Sequence, residues 1–282
     1  MGDPVDYDLR LFDHTSNSTE TLHLNPLLGR RISLHYTGTI RCQHCGRTTS
    51  RSFSQGYCFP CCRRLAQCDL CVMSPERCHF DQGTCREPDW GEAFCMQPHL
   101  VYLANSSGVK VGITRPSQLP TRWIDQGAVQ ALPVFGVQTR QQSGFVEVAF
   151  KQHISDKTSW QRMLKSEDQR VDLRAIRDRL LTEIGPDIEA LQARFGPGAI
   201  QPAQGAEVAT IRYPVTHYPT RVVALNLDKT PTIDGVLVGI KGQYLIFDTG
   251  VINLRRYTSY EVEIEVDLGT GGQLADGNLS LF

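Results

Sequence analysis

The cysteines of this chain are confined to one short part of it. All ten lie between Cys42 and Cys95, in a chain of 282 residues. Clustered cysteines indicate metal binding in a reducing cytosol, because disulfides do not persist there. The segment that contains them is rich in turn residues and lacks hydrophobic periodicity. We therefore expect bound metal to supply stability that an apolar core would otherwise provide.

A cytoplasmic location is the expectation on which this argument depends. Met1 is not followed by a charged and then apolar leader, and no apolar run is long enough to cross a membrane. The composition, with 40% hydrophobic and 21% charged residues, is that of a folded protein with room for two or three domains. We predict no membrane partner, and the oligomeric state does not follow from the sequence.

The first cysteines have the spacing of a four-thiolate zinc site. Two Cys-x2-Cys pairs are separated by twelve residues, and their members are Cys42, Cys45, Cys58 and Cys61. Each pair places two sulfurs on one side of a tight turn, so two pairs can close a tetrahedron around zinc. Gly46 and Gly56 give the chain freedom to turn there. Four thiolates leave no open coordination position, so the predicted role is structural; the alternative is a set of buried or redox-active thiols.

A second zinc site is predicted from the cysteines that follow. Cys68 and Cys71 repeat the two-residue spacing and are its first predicted ligands. The other ligands are assigned to Cys78 and Cys85, with Cys95 as the alternative. His79 and His99 are outside candidates. The spacing does not tell whether the two sites follow one another or interleave.

The chain as a whole predicts an α+β protein in six parts. Alternating apolar and polar residues in 31–37 predict a half-buried strand. Apolar residues between 171 and 195 recur at every third or fourth position, with an interruption at Gly185-Pro186, and predict two helices. The predicted parts are N-terminal β strands (1–41), a zinc ribbon-like segment (42–98), a three-stranded α/β unit (99–165), a helical connection with a linker (166–205), a C-terminal β domain (206–268) and a flexible tail (269–282).

Two of these parts can be described further. In the α/β unit, the segments 99–104 and 109–114 predict a hairpin, 131–137 a third strand, and 144–154 a helix, with a shorter helix after Pro120. In the C-terminal domain, the segments 222–225, 235–239, 244–247 and 260–266 predict a small β-barrel or sandwich. In an alternative arrangement, the N-terminal strands join them in one barrel.

Charge is distributed unevenly along the chain. Between residues 101 and 165 there are eight Lys or Arg and three acidic residues, whereas residues 257–282 contain five acidic residues and no basic one. The net charge is only -1. A basic middle and an acidic tail fit a polyanion-binding centre, although ordinary solvated faces would give the same counts.

The α/β unit carries residue types that phosphodiester cleavage requires. Tyr102 and Lys110 are predicted on adjacent strands of the hairpin, and Arg122 and Glu147 on the helices that follow. Cleavage needs a group that orients or deprotonates water, a cation beside the phosphate and a carboxylate for a divalent metal. The ordinary alternatives are a core tyrosine, solvated charges and a surface ion pair between Glu147 and Lys151.

At these residues the chain resembles the GIY-YIG nuclease superfamily, over about residues 100–165. The resemblance implies that Tyr102 helps to activate water, that Arg122 stabilises the phosphate and that Glu147 holds Mg²⁺ or Mn²⁺. It places Lys110 where many members have a second tyrosine. In the predicted site, Lys110 and Arg115 join Arg122 as phosphate-binding residues. Gln126 stands where many members have His or Tyr, and it joins Tyr102 in the predicted site.

A second resemblance covers the chain more widely. It is to a family of bacterial proteins known only as a domain of unknown function, which implies no activity. The stretches that carry it are 83–86, 109–115, 122–128 and 242–248.

The function expected from the GIY-YIG resemblance is that of a magnesium-dependent endonuclease acting on DNA or RNA. The rivals are a nucleic-acid-binding module with a degenerate site and a zinc-built scaffold for protein interaction.

Overall fold

The computed structural model of the protein describes residues 3–13, 18–154, 159–165, 169–267 and 278–281. Its strands, in chain order, are β1 (Asp8–Asp13), β2 (Ser18–His23), β3 (Arg31–Ile40), β4 (His99–Asn105), β5 (Val109–Thr114), β6 (Gln130–Val137), β7 (Ile200–Pro202), β8 (Ala209–Thr210), β9 (Thr232–Lys241), β10 (Tyr244–Phe247), β11 (Gly250–Asn253), β12 (Tyr260–Val266) and β13 (Asn278–Leu281). Its α-helices are α1 (Phe59–Arg64), α2 (Leu70–Met73), α3 (Pro88–Phe94), α4 (Thr121–Asp125), α5 (Arg140–Lys151), α6 (Trp160–Met163), α7 (Leu173–Glu183) and α8 (Gly185–Phe195). The protein is thus of mixed α+β class.

The chain forms two compact units that interrupt one another in sequence. The first consists of Met1–Arg63, Leu164–Ser166 and Arg212–Phe282, and the second of Arg64–Met163 and Glu167–Ile211. The cysteine-rich segment is therefore divided, because Cys42 to Cys62 belong to the first unit and Cys68 to Cys95 to the second. Among the described residues, no helix is long and apolar enough to span a bilayer.

The first unit is built on one antiparallel sheet of eight strands. Their order is β11-β10-β9-β3-β12-β13-β1-β2. Strand β3 lies between two C-terminal strands, with Arg31 opposite Val236 on β9 and Ile40 opposite Tyr260 on β12. Its alternation places Ile32, Leu34 and Ile40 in the core. The N-terminal and C-terminal strands therefore share one sheet.

The predicted closure of these strands into a barrel is wrong. Within the described residues, the sheet is open and has β11 and β2 as its two edges. The side chains of β2 are mostly exposed, so this edge has no apolar face to bury against the opposite end of the sheet. The more general prediction of β structure at both ends of the chain agrees with the structure.

Two segments of the first unit differ from the sequence prediction. Residues 222–225 do not form a strand: Val251 donates to Val223 O and Leu225 donates to Val251 O, so the segment meets β11 at a single bridge. The predicted flexible tail contains β13, which pairs with β1 and β12. Residues 269–277 and 282 of that tail lie outside the described residues.

The second unit contains a smaller antiparallel sheet, in the order β5-β4-β6-β7, with β8 also on β6. The predicted hairpin is present as β4 and β5, and the predicted third strand as β6. Helix α5 begins four residues earlier than its predicted start at residue 144. The reason is a capping box, in which Thr139 accepts from Gln142 N and the Gln142 side chain accepts from Thr139 N. Helices α7 and α8 meet at the predicted interruption, with Pro186 in the first turn of α8.

Candidate functional site

The first cysteine group, Cys42, Cys45, Cys58 and Cys61, forms a compact tetrad in the first unit. The four Sγ atoms all lie within 4.8 Å of one another. The Sγ atoms of Cys45 and Cys58 are 3.8 Å apart. This is the edge length, about 3.8 Å, of a tetrahedron of sulfurs around zinc with Zn–S bonds of about 2.3 Å. The tetrad can hold a zinc ion.

Local backbone structure brings the two pairs of the tetrad together. Cys42 and Cys45 lie on a turn in which Gly46 N donates to Cys42 O and Cys42 N donates to Arg47 O. Gly46 has a φ of +70°, which explains the glycine at this position. Cys58 and Cys61 lie at the beginning of α1, after a turn in which Phe53 and Tyr57 pair with each other. One pair is thus on a turn and the other at a helix N-terminus.

The protonation of the tetrad is tuned by its backbone. Burial raises the pKa of Cys42, but hydrogen bonds from backbone amides, those at Cys58 and Cys45 first, lower it to about 6. The Arg47 backbone amide lowers the pKa of Cys45. Burial, together with the neighbouring thiols, raises the pKa of Cys61 to about 12. Amide donors that favour thiolates prepare the site for a cation, which offsets the repulsion of the remaining charges.

One cavity in the second unit is lined mainly by residues of the cysteine-rich segment. Four cysteines line it together with Asp69 and His79, and they are Cys71, Cys78, Cys85 and Cys95. Cys68, a predicted ligand, does not line this cavity. Cys62, which belongs to the first unit, lies outside the tetrad, with its Sγ 3.3 Å from Ser54 Oγ.

The two histidines near these cysteines have hydrogen bonds of their own. His79 Nδ1 lies 2.8 Å from Thr84 Oγ1. His99 is 1% exposed, and its Nδ1 lies 2.7 Å from Gln97 O. Among the described residues, His99 Nε2 has no hydrogen-bond partner. Burial lowers the pKa of His99 to about 4, so its ring is neutral at pH 7.

Tyr102 is the centre of the site predicted from the GIY-YIG resemblance. It lies on β4, is fully buried and pairs across the hairpin with Gly112 on β5. Its ring also meets Trp123 of α4 edge-on, at a centroid distance of 6.0 Å. Because side chains alternate along a strand, Tyr102 shares one face of the hairpin with Ala104 and with Lys110, the cross-strand partner of Ala104.

Three other predicted site residues lie within hydrogen-bonding or electrostatic range of Tyr102. The hydroxyl donates to Gln126 Oε1 at 3.0 Å. Burial raises the pKa of Tyr102 to about 12, the positive charge of Arg122 opposes this rise and the negative charge of Glu147 adds to it. Arg122 and Glu147 are thus within electrostatic range of the tyrosine. We call Tyr102, Arg122, Gln126 and Glu147 the tyrosine cleft.

Three cationic residues of the predicted α/β unit, Arg122, Arg115 and Lys151, have different surroundings. Arg122 is exposed on α4. Arg115 stacks on the ring of Phe94, with its Cζ 4.7 Å from the ring centroid, and Phe94 stacks on Trp90 at 4.9 Å. The Lys151 Nζ lies 3.6 Å from Glu147 Oε2, so the ion pair that formed the ordinary alternative for Glu147 is present.

Arg140 is a member of this neighbourhood that the sequence reasoning did not assign. It is the first residue of α5, and its Nη2 donates to Val72 O at 2.7 Å. Burial lowers its pKa, and the charges of Cys95, Arg122 and Glu147 also act on it. A signal was present in the sequence, because Arg140 is the first residue after the threonine of a Thr-x-x-Gln capping box, where a positive charge opposes the helix dipole and calls for a nearby anion.

The comparisons with known proteins give a family but no activity. No curated protein and no solved structure matches the chain. A family profile described as "protein of unknown function (DUF2797)" matches residues 29–262, which is well over half of the chain. The match includes the tetrad, the second group of cysteines and the tyrosine cleft. The chain therefore belongs to the DUF2797 family of proteins of unknown function.

Proposed function

We propose that the tyrosine cleft binds a phosphodiester of a nucleic acid and hydrolyses it with the help of Mg²⁺ or Mn²⁺. The observation that carries the proposal is that the buried Tyr102 donates to Gln126, with the exposed Arg122 and the carboxylate of Glu147 within electrostatic range. These residues are far apart in sequence, so their meeting is a property of the fold. The order hairpin, helix, strand, helix agrees with the resemblance to GIY-YIG nucleases.

The cationic side chains supply the phosphate-binding part of the proposal. Arg122 is exposed, and its planar guanidinium presents several donors that match phosphate oxygens. Lys110 lies on the same face of the hairpin as Tyr102. Arg115, held on the Phe94 ring, has an apolar neighbour on which a base can also stack. A nucleic acid would therefore meet charge and aromatic surface together.

Glu147 is the residue that would hold the divalent cation. Its side chain is only 16% exposed, and Lys151 is its neighbour at 3.6 Å. Mg²⁺ at phosphate sites is often held by one or two carboxylates together with substrate phosphates and water, so a single glutamate fits this ion. When bound, the cation supplies positive charge beside the phosphate and lowers the pKa of a bound water.

Tyr102 has a positioning role in this proposal. Its hydroxyl is buried, donates to Gln126 and keeps its proton at neutral pH. A neutral, buried phenol does not remove a proton from water. Instead, Tyr102 fixes Gln126 at the end of α4, the helix that presents Arg122. Its effect on the reaction is therefore exerted through the arginine.

A second candidate function is binding without cleavage. Two observations favour it: the hydroxyl of Tyr102 bonds to the amide of Gln126, which is not a general base, and Lys151 already partners Glu147. In this case the cleft would grip phosphate as part of a nucleic-acid-binding module. The zinc-built scaffold is the remaining alternative, and it predicts no affinity for nucleic acid.

One set of variants separates these functions. Single- and double-stranded DNA and RNA are incubated with the protein and Mg²⁺ or Mn²⁺, and both binding and cleavage are measured. We expect Glu147→Gln to abolish cleavage and to keep binding, because the glutamate holds the cation and not the substrate. Glu189→Gln, at an exposed position on α8, is the matched control. If neither the unaltered protein nor Glu189→Gln cleaves any substrate although both bind, the binding module is favoured. Absence of binding by the unaltered protein overturns the proposal.

A further inference from the structure

Four cysteines of the second unit lie on separate short elements that surround one cavity. Cys71 lies on α2, Cys78 follows the 3₁₀ turn Pro75–Arg77, Cys85 lies in the next loop, and Cys95 caps the end of α3. They line one cavity, and all are free thiols. Cys71 lies within electrostatic range of each of the other three. From this arrangement we infer that a second structural zinc ion binds to Cys71, Cys78, Cys85 and Cys95, and that Cys68 is not a ligand.

Cys68 and Cys71 are separated by the start of a helix. Cys68 ends the 3₁₀ turn Ala66–Cys68, and Asp69 is the N-cap of α2, in which Cys71 lies. In the first tetrad, by contrast, each pair shares one turn or one helix start. The two-residue spacing predicts a shared site for Cys68 and Cys71, but the two residues lie on separate elements. In the inferred ligand set, Cys95, which is buried at the end of α3, replaces Cys68.

Asp69 and His79 are close enough to the cavity to compete as ligands. An oxygen of Asp69, the sulfur of Cys71 and a nitrogen of His79 lie within 4.8 Å of one another. However, Arg86 Nε is 2.6 Å from Asp69 Oδ2, so this carboxylate already has a cationic partner. Asp69 Oδ1 also accepts from Cys71 N at 3.4 Å. Asp69 therefore orients the Cys71 backbone, as residues around a metal site commonly do.

Two glycines beside this segment, Gly91 and Gly144, leave no room for a side chain. A Cβ on Gly91 of α3 would lie 3.2 Å from Cys85 Sγ and 2.8 Å from the Phe80 ring. A Cβ on Gly144 of α5 would lie 2.5 Å from Glu76 N, in the turn that precedes Cys78. Close backbone approach at both positions indicates that this loop-rich segment has one defined packing. Its helices of four to seven residues are too short to be stable by themselves, and a metal ion explains how the segment is held.

Arg140 provides the charge that a four-thiolate zinc site needs. Zinc with four thiolates carries a net charge of about −2, which is costly inside a protein without a cationic neighbour. Arg140 donates to Val72 O, one residue beyond Cys71, and lies within electrostatic range of Cys71 and Cys95. Gln141 Nε2 donates to Cys78 O at 2.8 Å. The first turn of α5, the helix that carries Glu147, is thus hydrogen-bonded to the backbone around the proposed metal site.

Metal content of variants of the full chain tests the ligand set. We expect two equivalents of zinc in the unaltered protein, one in Cys95→Ser, and two in Cys68→Ser and in His79→Ala. Co²⁺ in place of zinc should give the absorption of tetrahedral thiolate coordination in two sites, one of which is lost in Cys95→Ser. Loss of an equivalent in Cys68→Ser with retention in Cys95→Ser would overturn the inference, and so would a single equivalent in the unaltered protein.

Alkylation of the unaltered protein gives a second readout, in case Cys95→Ser does not fold. In native conditions, we expect an alkylating reagent followed by mass spectrometry to modify Cys62 and Cys68. Cys71, Cys78, Cys85 and Cys95 should react only after a chelator has removed the metal. Modification of Cys95 before chelation, or protection of Cys68, would contradict the assignment. Neither experiment depends on whether the tyrosine cleft cuts nucleic acid.

Discussion

The Tyr102 ring lies directly over Gly112, its partner across the β4–β5 hairpin. A Cβ on residue 112 would lie 2.6 Å from Tyr102 Cζ and 2.7 Å from its hydroxyl oxygen. Real Cβ atoms do not approach so closely, so a side chain at residue 112 would have to displace the ring. The absence of a side chain at residue 112 therefore allows the Tyr102 ring to lie where its hydroxyl bonds to Gln126.

This contact predicts the effect of filling the space. Gly112→Ala should lower the free energy of unfolding by about 1–3 kcal/mol, as overpacking of a core does. Denaturant unfolding measures the change. Gly136→Ala on β6 is the matched control, because a Cβ there would meet nothing within 4 Å, and it should leave stability nearly unchanged. Equal effects of the two substitutions would mean that the Tyr102 ring does not occupy this space.

The raised pKa of Tyr102 predicts how binding responds to alkaline pH. A phenolate is negative and would weaken phosphate binding, but burial raises the pKa of Tyr102 to about 12, so only about 1% of it is ionised at pH 10. The ratio of affinities of the unaltered and Tyr102→Phe proteins for an oligonucleotide should stay constant from pH 8 to pH 10. Fluorescence anisotropy measures it. A ratio that falls towards pH 10 would show that the hydroxyl ionises at its ordinary pKa.

Salt dependence distinguishes phosphate contacts from other contacts of the second unit. Arg122→Ala should weaken oligonucleotide binding about equally for all sequences and reduce the slope of log affinity against log salt by about one. Arg179→Ala is the matched control, since Arg179 is an exposed residue of α7 that pairs with Glu183 at 3.4 Å. Binding that is insensitive to salt, or equally weakened by both substitutions, would argue against a phosphate contact of Arg122.

The first tetrad predicts a difference between two adjacent cysteines. Cys61→Ser should remove one equivalent of zinc and unfold the turns around the tetrad, because ligand binding and folding are coupled there. Cys62→Ser should keep the zinc, since the group of four sulfurs within 4.8 Å of one another is completed by Cys61, and the Cys62 Sγ lies 3.3 Å from Ser54 Oγ. Elemental analysis and thermal unfolding check both. Zinc loss in Cys62→Ser would show that Cys62 is a zinc ligand, which contradicts the assignment of the tetrad.

Local patterns allowed some of this fold to be predicted. The β4–β5 hairpin follows from two apolar segments around a short turn, and the interruption between α7 and α8 follows from Gly185-Pro186. The partners of β3 could not be predicted, because alternation tells which face of a strand is buried but not which strand lies beside it. Its neighbours β9 and β12 are about two hundred residues away in sequence.

Local patterns also predicted some of the candidate site residues and not others. Spacing alone identified the tetrad, because both of its pairs lie on local turns. In the second unit the same spacing indicated Cys68, whereas the cavity is lined by Cys95, which arrives on α3. The resemblance pointed to Tyr102, but its bond to Gln126 and the position of the half-buried Arg140 depend on packing between distant elements, which no local pattern contains.

The position of β3 between two C-terminal strands also sets an order of events during synthesis. When Ile40 leaves the ribosome, neither of its sheet neighbours has been made, and more than two hundred further residues must follow before β12 exists. Throughout that time the apolar side of β3 has no sheet partner. The cysteines of the tetrad, by contrast, are all present once Cys61 has emerged. Metal capture can thus precede completion of the sheet, and a nascent chain that stops short of β12 would expose an unpaired strand prone to association with other chains.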